Sequence, residues 1–260
     1  MGTQKTTKIN QLLSAYPYGI VFQSAWLTRL GYDSNLQKRY RNSGWLESIG
    51  NGAMVRSGDE VGYEGAIYAL QNQASSKVHP GGKTALSLLG KAHYLEFSPK
   101  KVILFGNDDD MIPTWLKKHN WGIDIEYHPT SFLQGNSGLT TINVKNIYIQ
   151  ISAAARAIME CLYLAPAHQD LLECYQLMEG LNNLIPGQVQ ELLENCHSVK
   201  VKRLFLYMAE KTGHDWFRYI NLAKVDLGDG KRSLVKKGVY IARYKITVPK
   251  ELDEYGKTGI

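Results

Sequence analysis

Ser34-Asn35-Leu36-Gln37-Lys38-Arg39-Tyr40-Arg41-Asn42-Ser43-Gly44, followed directly by Trp45-Leu46-Glu47-Ser48-Ile49-Gly50-Asn51-Gly52-Ala53-Met54-Val55-Arg56, reads as a short basic helix running into a tight hairpin. Ser34 with Gln37 three residues on has the spacing of a capping box, and Gly44 is placed to stop the helix. At about 100° per residue, Leu36, Tyr40 and Ser43 share an inward face. Ser34, Asn35, Lys38, Arg41 and Asn42 take the opposite face, with Gln37 on the flank. Arg39 lies nearer the core edge, from which a guanidinium can snorkel towards phosphate. The outward set carries the side chains that read base edges, Arg or Lys for guanine and Asn or Gln for adenine. In the hairpin, Asn51-Gly52 predicts a type I′ turn. That register sets Ile49 opposite Met54 and Glu47 opposite Arg56 as a cross-strand ion pair.

The preceding residues supply two more helices. Ile9, Leu12, Leu13 and Tyr16 fall at i, i+3, i+4 and i+7, one apolar stripe that Pro17 ends. Ser24 is placed to cap a second helix over residues 25–30, with Gly31 as its C′ residue. The turn Gly31-Tyr32-Asp33 then leads into the basic helix, a length that suits a helix-turn-helix. Three helices and a two-stranded wing make a winged helix-turn-helix. The candidate DNA-binding residues are therefore Ser34, Asn35, Gln37, Lys38, Arg39, Arg41 and Asn42. A trio of helices with a hairpin also serves as a protein-docking adaptor without sequence-specific DNA binding. Such a module more often exposes apolar residues where this one places cations and amides.

At 260 residues the chain suits two domains, and 44% hydrophobic content is that of a folded protein. No apolar run reaches the ~20 residues that span a bilayer, and the N-terminus has no secretion-signal core. Cys161, Cys174 and Cys196 are far apart, odd in number and not in C-x-x-C spacing, as expected of reduced thiols in a cytoplasm. The net charge of +6 is uneven: residues 1–60 carry +3, residues 61–196 carry −4 and residues 197–260 carry +7. Basic ends suit a phosphate backbone or an acidic partner. In the C-terminal stretch, Lys200, Lys202 and Arg203, and the cluster Lys231, Arg232, Lys236 and Lys237, are candidate contacts to nucleic acid or a partner. A solvated basic surface is the plainer reading of each.

Glu64–Ala74 reads as a helix with Ile67 and Leu70 inward. Gly82-Lys83-Thr84 resembles the tail of a phosphate-binding loop, but Lys77 stands where the motif needs its first glycine. Pro80-Gly81-Gly82 therefore reads as a turn opening a helix. Lys101–Gly106, Ile123–Tyr127 and Thr140–Val144 have strand patterns. The acidic run Asp108-Asp109-Asp110 could attract Mg²⁺, but consecutive carboxylates point apart and a loop before Pro113 fits better. From residue 152 the chain turns helical: 153–164, 170–178, 188–196, and a fourth helix whose Val201, Leu204, Phe205 and Met208 form its stripe, with Gly213 as the stop. Tyr240–Val248 reads as a terminal strand. The seven histidines show no metal-ligand spacing, and neither a nucleophile elbow nor a catalytic Cys signature occurs. No enzyme, cofactor or metal is expected.

The winged start, Val78-His79-Pro80-Gly81-Gly82-Lys83-Thr84-Ala85-Leu86, Gly90-Lys91-Ala92-His93-Tyr94-Leu95, Lys202-Arg203-Leu204-Phe205 and Asp226-Leu227-Gly228 together resemble the AbiEi antitoxins of type IV toxin–antitoxin systems, some of them linked to abortive phage infection. The likeness runs over nearly the whole chain, and the His-Pro-Gly-Gly-x-Thr-Ala-Leu block is its most specific part. It implies an α+β protein with a winged helix-turn-helix over 1–95 and a larger mixed α/β antitoxin domain over 96–260. It further implies a cytoplasmic autorepressor that binds inverted repeats in its own promoter, two copies on the DNA, with Asn51 and Arg56 near the wing carried over by position to its DNA face. The larger domain would neutralise a nucleotidyltransferase-like toxin, with or without a stable complex.

Overall fold

A computed structural model describes residues 7–91, 101–133 and 135–256. The chain begins with α1 (Lys8–Ala15), β1 (Phe22–Gln23), α2 (Ser24–Arg29), α3 (Ser34–Asn42), β2 (Leu46–Gly50), β3 (Ala53–Arg56) and α4 (Tyr63–Gln73). It continues through β4 (His79–Pro80), α5 (Gly82–Leu88), β5 (Lys101–Gly106), α6 (Thr114–Lys118), β6 (Asp124–Pro129), β7 (Leu139–Val144) and β8 (Ile147–Ser152). The remainder is α7 (Ala154–Leu164), α8 (Leu171–Glu179), α9 (Pro186–Asn195), α10 (Val199–Thr212), β9 (Arg232–Ser233), β10 (Val239–Ile241), β11 (Ile246–Val248) and α11 (Lys250–Glu254). This is the α+β architecture that opens with a winged helix-turn-helix.

The described residues within Met1–His79, Lys100–Pro129 and Thr141–Gln150 form one compact unit, and those within Pro80–Pro99, Thr130–Thr140 and Ile151–Ile260 form a second. The expected boundary at 95/96 falls outside the described residues. In the first unit a three-stranded sheet runs β1-β3-β2 and closes the wing. Ile9, Leu12, Phe22, Leu27, Tyr40, Leu46 and Met54 are its buried core. Gln73 of α4 locks this sheet from behind: its amide nitrogen donates to Val21 O at 2.7 Å and its oxygen accepts from Gln23 N at 2.8 Å. The strands β5 and β6 pair in parallel from Lys101–Asp124 to Gly106–Pro129.

Several local expectations shift by one residue. Asp33, not Ser34, caps α3, its Oδ1 accepting from Leu36 N at 2.8 Å, so the capping box with Gln37 does not form. Gln23 precedes α2 as N-cap without a side-chain bond, so Ser24 is already helical. In the wing, Leu46 lies opposite Arg56 and Ser48 opposite Met54, with a bulge between Ser48 and Gly50. A bulge sets two residues of one strand against one of the other. The expected pairs Ile49–Met54 and Glu47–Arg56 are therefore lost. Nor is the turn type I′, which needs positive φ at both central residues: Gly52 has φ +85, while Asn51 is not among the residues of positive φ.

The second unit is mainly helical, with α5, α8, α9 and α10 packed against α7. The fourth predicted stripe is confirmed, since Val201, Leu204, Phe205 and Met208 are all buried and Gly213 takes the left-handed C-cap at φ +69. The expected single strand over 240–248 is instead two short strands. Ala242–Tyr244 turn in a 3₁₀ helix, Lys245 adopts φ +49, and β11 folds back antiparallel on β10, pairing Val239 with Val248 and Ile241 with Ile246. The strand β8 is an element that local patterning did not predict.

All three cysteines are buried and unpaired. Burial pushes the Cys161 and Cys174 thiols well up and Cys196 to about 11, so each is protonated at neutral pH. Alkylation by iodoacetamide at neutral pH is expected to leave all three unmodified in the folded protein and to label all three in denaturant. Whole-protein mass spectrometry reads the difference.

Candidate nucleic-acid interface

The helix α3 presents a polar face because its inward positions are taken by Leu36, Gln37 and Tyr40. Ser34, Asn35, Lys38, Arg39 and Asn42 are exposed, and Arg41 is half-buried. Ser34, Lys38 and Arg41 recur at i, i+4 and i+7, one stripe along the helix. Beside it lies a cleft of about 390 Å³ lined by Ser24, Ala25 and Thr28 of α2, Ser34, Gln37 and Arg41 of α3, and Ser48 to Met54 of the wing, Ile49 excepted. The wing-tip Asn51 is exposed at the rim of this cleft. The helix α3 and the wing thus converge on one concave surface.

Two predicted contacts are corrected by the packing. Gln37 is 3% exposed, and its amide nitrogen donates to Tyr32 O at 2.7 Å and to Ser24 O and Thr28 Oγ1 at 3.1 Å each. It joins α3 to α2 and the turn, so its donor is spent inside the fold. Arg56 is 7% exposed, donates from Nη2 to Leu13 O at 2.6 Å and Tyr16 O at 3.2 Å, and lies 3.7 Å from the Tyr18 ring centroid. It anchors α1 to the wing strand rather than facing outward. Gln37→Ala removes the donor that Tyr32 O, Ser24 O and Thr28 Oγ1 share and is expected to lower stability by roughly 1–3 kcal/mol. Thermal unfolding measures that loss, and base preference on any duplex is expected to stay unchanged.

The sequence reading missed Ser24, Thr28 and Ser48 as lining residues. No motif marks them; they reach the cleft only because α2 and the bulged strand β2 meet α3 there.

The C-terminal cations divide sharply. Arg203 is 1% exposed and gives all five N–H groups to carbonyls: Leu227 at 2.8 Å, Gly230 and Lys245 at 2.9 Å, Gly228 at 3.0 Å and Asp229 at 3.4 Å. Lys202 is buried as well. Lys200 donates to Tyr163 O and Ala165 O at 2.6 Å, and burial pulls its pKa below the usual lysine value. These three are corrected from candidate contacts to internal residues: Lys200 and Arg203 give their N–H groups to backbone carbonyls, and Lys202 is covered by the fold. Lys231, Arg232, Lys236 and Lys237 are exposed, with Lys231 Nζ 5.0 Å from the Tyr240 ring centroid.

Possible chemical centres resolve into structural ones. Gly82 N–H donates to Glu160 Oε2 at 2.9 Å, and Lys83 pairs with Glu173, so the glycine-rich turn binds the chain's own carboxylates. Glu160 is itself buried against Arg156 Nε at 2.9 Å and Ser152 Oγ at 2.7 Å. Asp110 accepts from Ser76 Oγ and Lys77 N at 3.3 Å and from Asn107 N at 2.9 Å, which stitches the acidic loop to the end of α4. Among the described residues no group of three or more His, Cys, Asp or Glu could hold a metal ion, and no helix is long and apolar enough to cross a membrane.

Two family models match the sequence. One, described as the AbiEi antitoxin N-terminal domain of transcriptional regulators, covers residues 5–97. The other, described as a transcriptional regulator and AbiEi antitoxin of the type IV TA system, covers residues 99–249. The crystal structure of the RV2827C protein from Mycobacterium tuberculosis is similar at a TM-score of 0.60 and 11% identity, over 92% of this chain and 88% of that one. At that identity the likeness concerns the fold. No curated protein matches this chain.

Proposed function

This chain belongs to the AbiEi antitoxin family of transcriptional regulators in type IV toxin–antitoxin systems, and from that premise we propose that it represses its own operon by binding inverted repeats in the promoter. The observation that carries the reading is the convergence of the exposed α3 stripe and the wing on one cleft. The helix α3 enters the major groove, where Arg41 and Lys38 meet guanine edges or phosphates and Asn35 and Asn42 meet adenine. Ser34, Arg39 and the wing-tip Asn51 hold backbone phosphates. An inverted repeat takes two copies, one per half-site. The larger part of the chain neutralises a nucleotidyltransferase-like toxin encoded with it. Its exposed cations Lys231, Arg232, Lys236 and Lys237 offer a surface to an acidic or polyanionic partner.

The reading predicts that the full chain retards a duplex taken from upstream of its own reading frame, and that a scrambled duplex of equal composition competes poorly. Equal retardation of both duplexes would point instead to a docking adaptor with general charge attraction.

A further inference from the structure

The short helix α6 belongs to the part of the sequence matched by the C-terminal family model, yet it packs within the winged unit against the wing strand β2. The fit is close. A Cβ placed on Gly50, at the wing tip, would stand 2.9 Å from Trp115 Cβ and 3.3 Å from Trp115 Cα. Gly50 also has φ +148, which side chains rarely adopt, so backbone shape and space both require glycine there. Trp115 is buried behind the wing, and Trp121 closes the far end of α6 by donating from Nε1 to Leu116 O at 2.8 Å. Of the three residues that α6 leaves exposed, Thr114, Lys117 and Lys118, the two lysines carry charge, and neither is in an ion pair among the described residues. Three helical residues advance about 4.5 Å along an axis, so the Lys118 backbone lies within roughly 10 Å of Gly50. A lysine side chain from there is in range of a backbone that passes the wing tip, one strand of which carries a charge every ~3.4 Å of axis.

We infer that Lys117 and Lys118 form a second phosphate clamp, gripping duplex backbone outside the segment held by α3 and the wing. The inference rests on the DNA reading above and extends it: the footprint is wider than a winged helix alone provides, and the extension reads no base. Neutral loop residues at these positions would add nothing to affinity, whereas two free ammonium groups release counterions on contact.

The test uses the full chain with the upstream duplex and its scrambled counterpart, titrated across salt by fluorescence anisotropy. Lys117→Gln with Lys118→Gln is expected to flatten the salt dependence of log K by about two units, near one per lost phosphate contact, while the preference for the upstream duplex is kept. Ethylation interference should show the flanking phosphates released and the α3 contacts retained. An unchanged slope and footprint in a double variant that still prefers the upstream duplex overturns the clamp alone. Absence of any duplex preference in the unsubstituted protein overturns the DNA reading and the clamp with it.

Discussion

Lys38→Ala combined with Arg41→Ala is expected to abolish binding to the upstream duplex at physiological salt while toxin neutralisation persists. Lys38 is exposed on α3 and Arg41 borders the cleft one turn further on, so both point to the same groove. A bidentate Arg–guanine contact is worth about 1–3 kcal/mol, and loss of two cations flattens the salt slope by about two units. A combined loss of about 2–4 kcal/mol corresponds to roughly 30- to 1000-fold in affinity. Neither side chain makes a hydrogen bond or ion pair within the described residues, so the variant should melt with the unsubstituted protein. Anisotropy titration and a growth-rescue assay against the proposed toxin measure the two activities separately. Equal loss of both in a variant that melts normally would remove the division of labour between the DNA face and the rest of the chain.

The second large effect is structural. Arg203→Ala is expected to cost about 3–5 kcal/mol, because five part-buried carbonyls lose a guanidinium donor and a long, fully buried side chain leaves a cavity. No carboxylate is recorded in hydrogen bond or ion pair with this guanidinium; its charge is spread over the carbonyl dipoles of Leu227–Gly230 and Lys245. That arrangement fastens the turn at 226–230 and the start of β11 to the side of α10. For a chain of this size the loss should lower the melting temperature by roughly 6–20 °C. Arg203→Lys should recover little, since one ammonium has three donors and no planar fork to reach five acceptors. Circular dichroism melts decide it: a substituted protein that melts with the original would show that the carbonyl cage is dispensable.

Local rules were enough for many of the elements. Periodicity marked α1 and α10, Gly213 marked a helix end, and Asn51-Gly52 marked the wing turn. The polar stripe of α3 was legible for the same reason, since helical geometry depends only on residues within a turn or two. Its exact inward edge was not, because a polar Gln37 reads as surface until the carbonyls of Ser24 and Tyr32 are brought to it.

What the amino-acid order determined by itself was most of the longer helices, the winged start and the kinship of the chain, all carried by neighbouring residues and short motifs. Tertiary structure alone decided which cations are free. Arg56 and Arg203 have the composition of a binding surface but spend their donors on carbonyls 24 to 43 positions away in sequence. It also decided that β2 carries a bulge and that α6 braces it. Backbone carbonyls are the same in every residue, so no side-chain pattern announces where a buried guanidinium will find them.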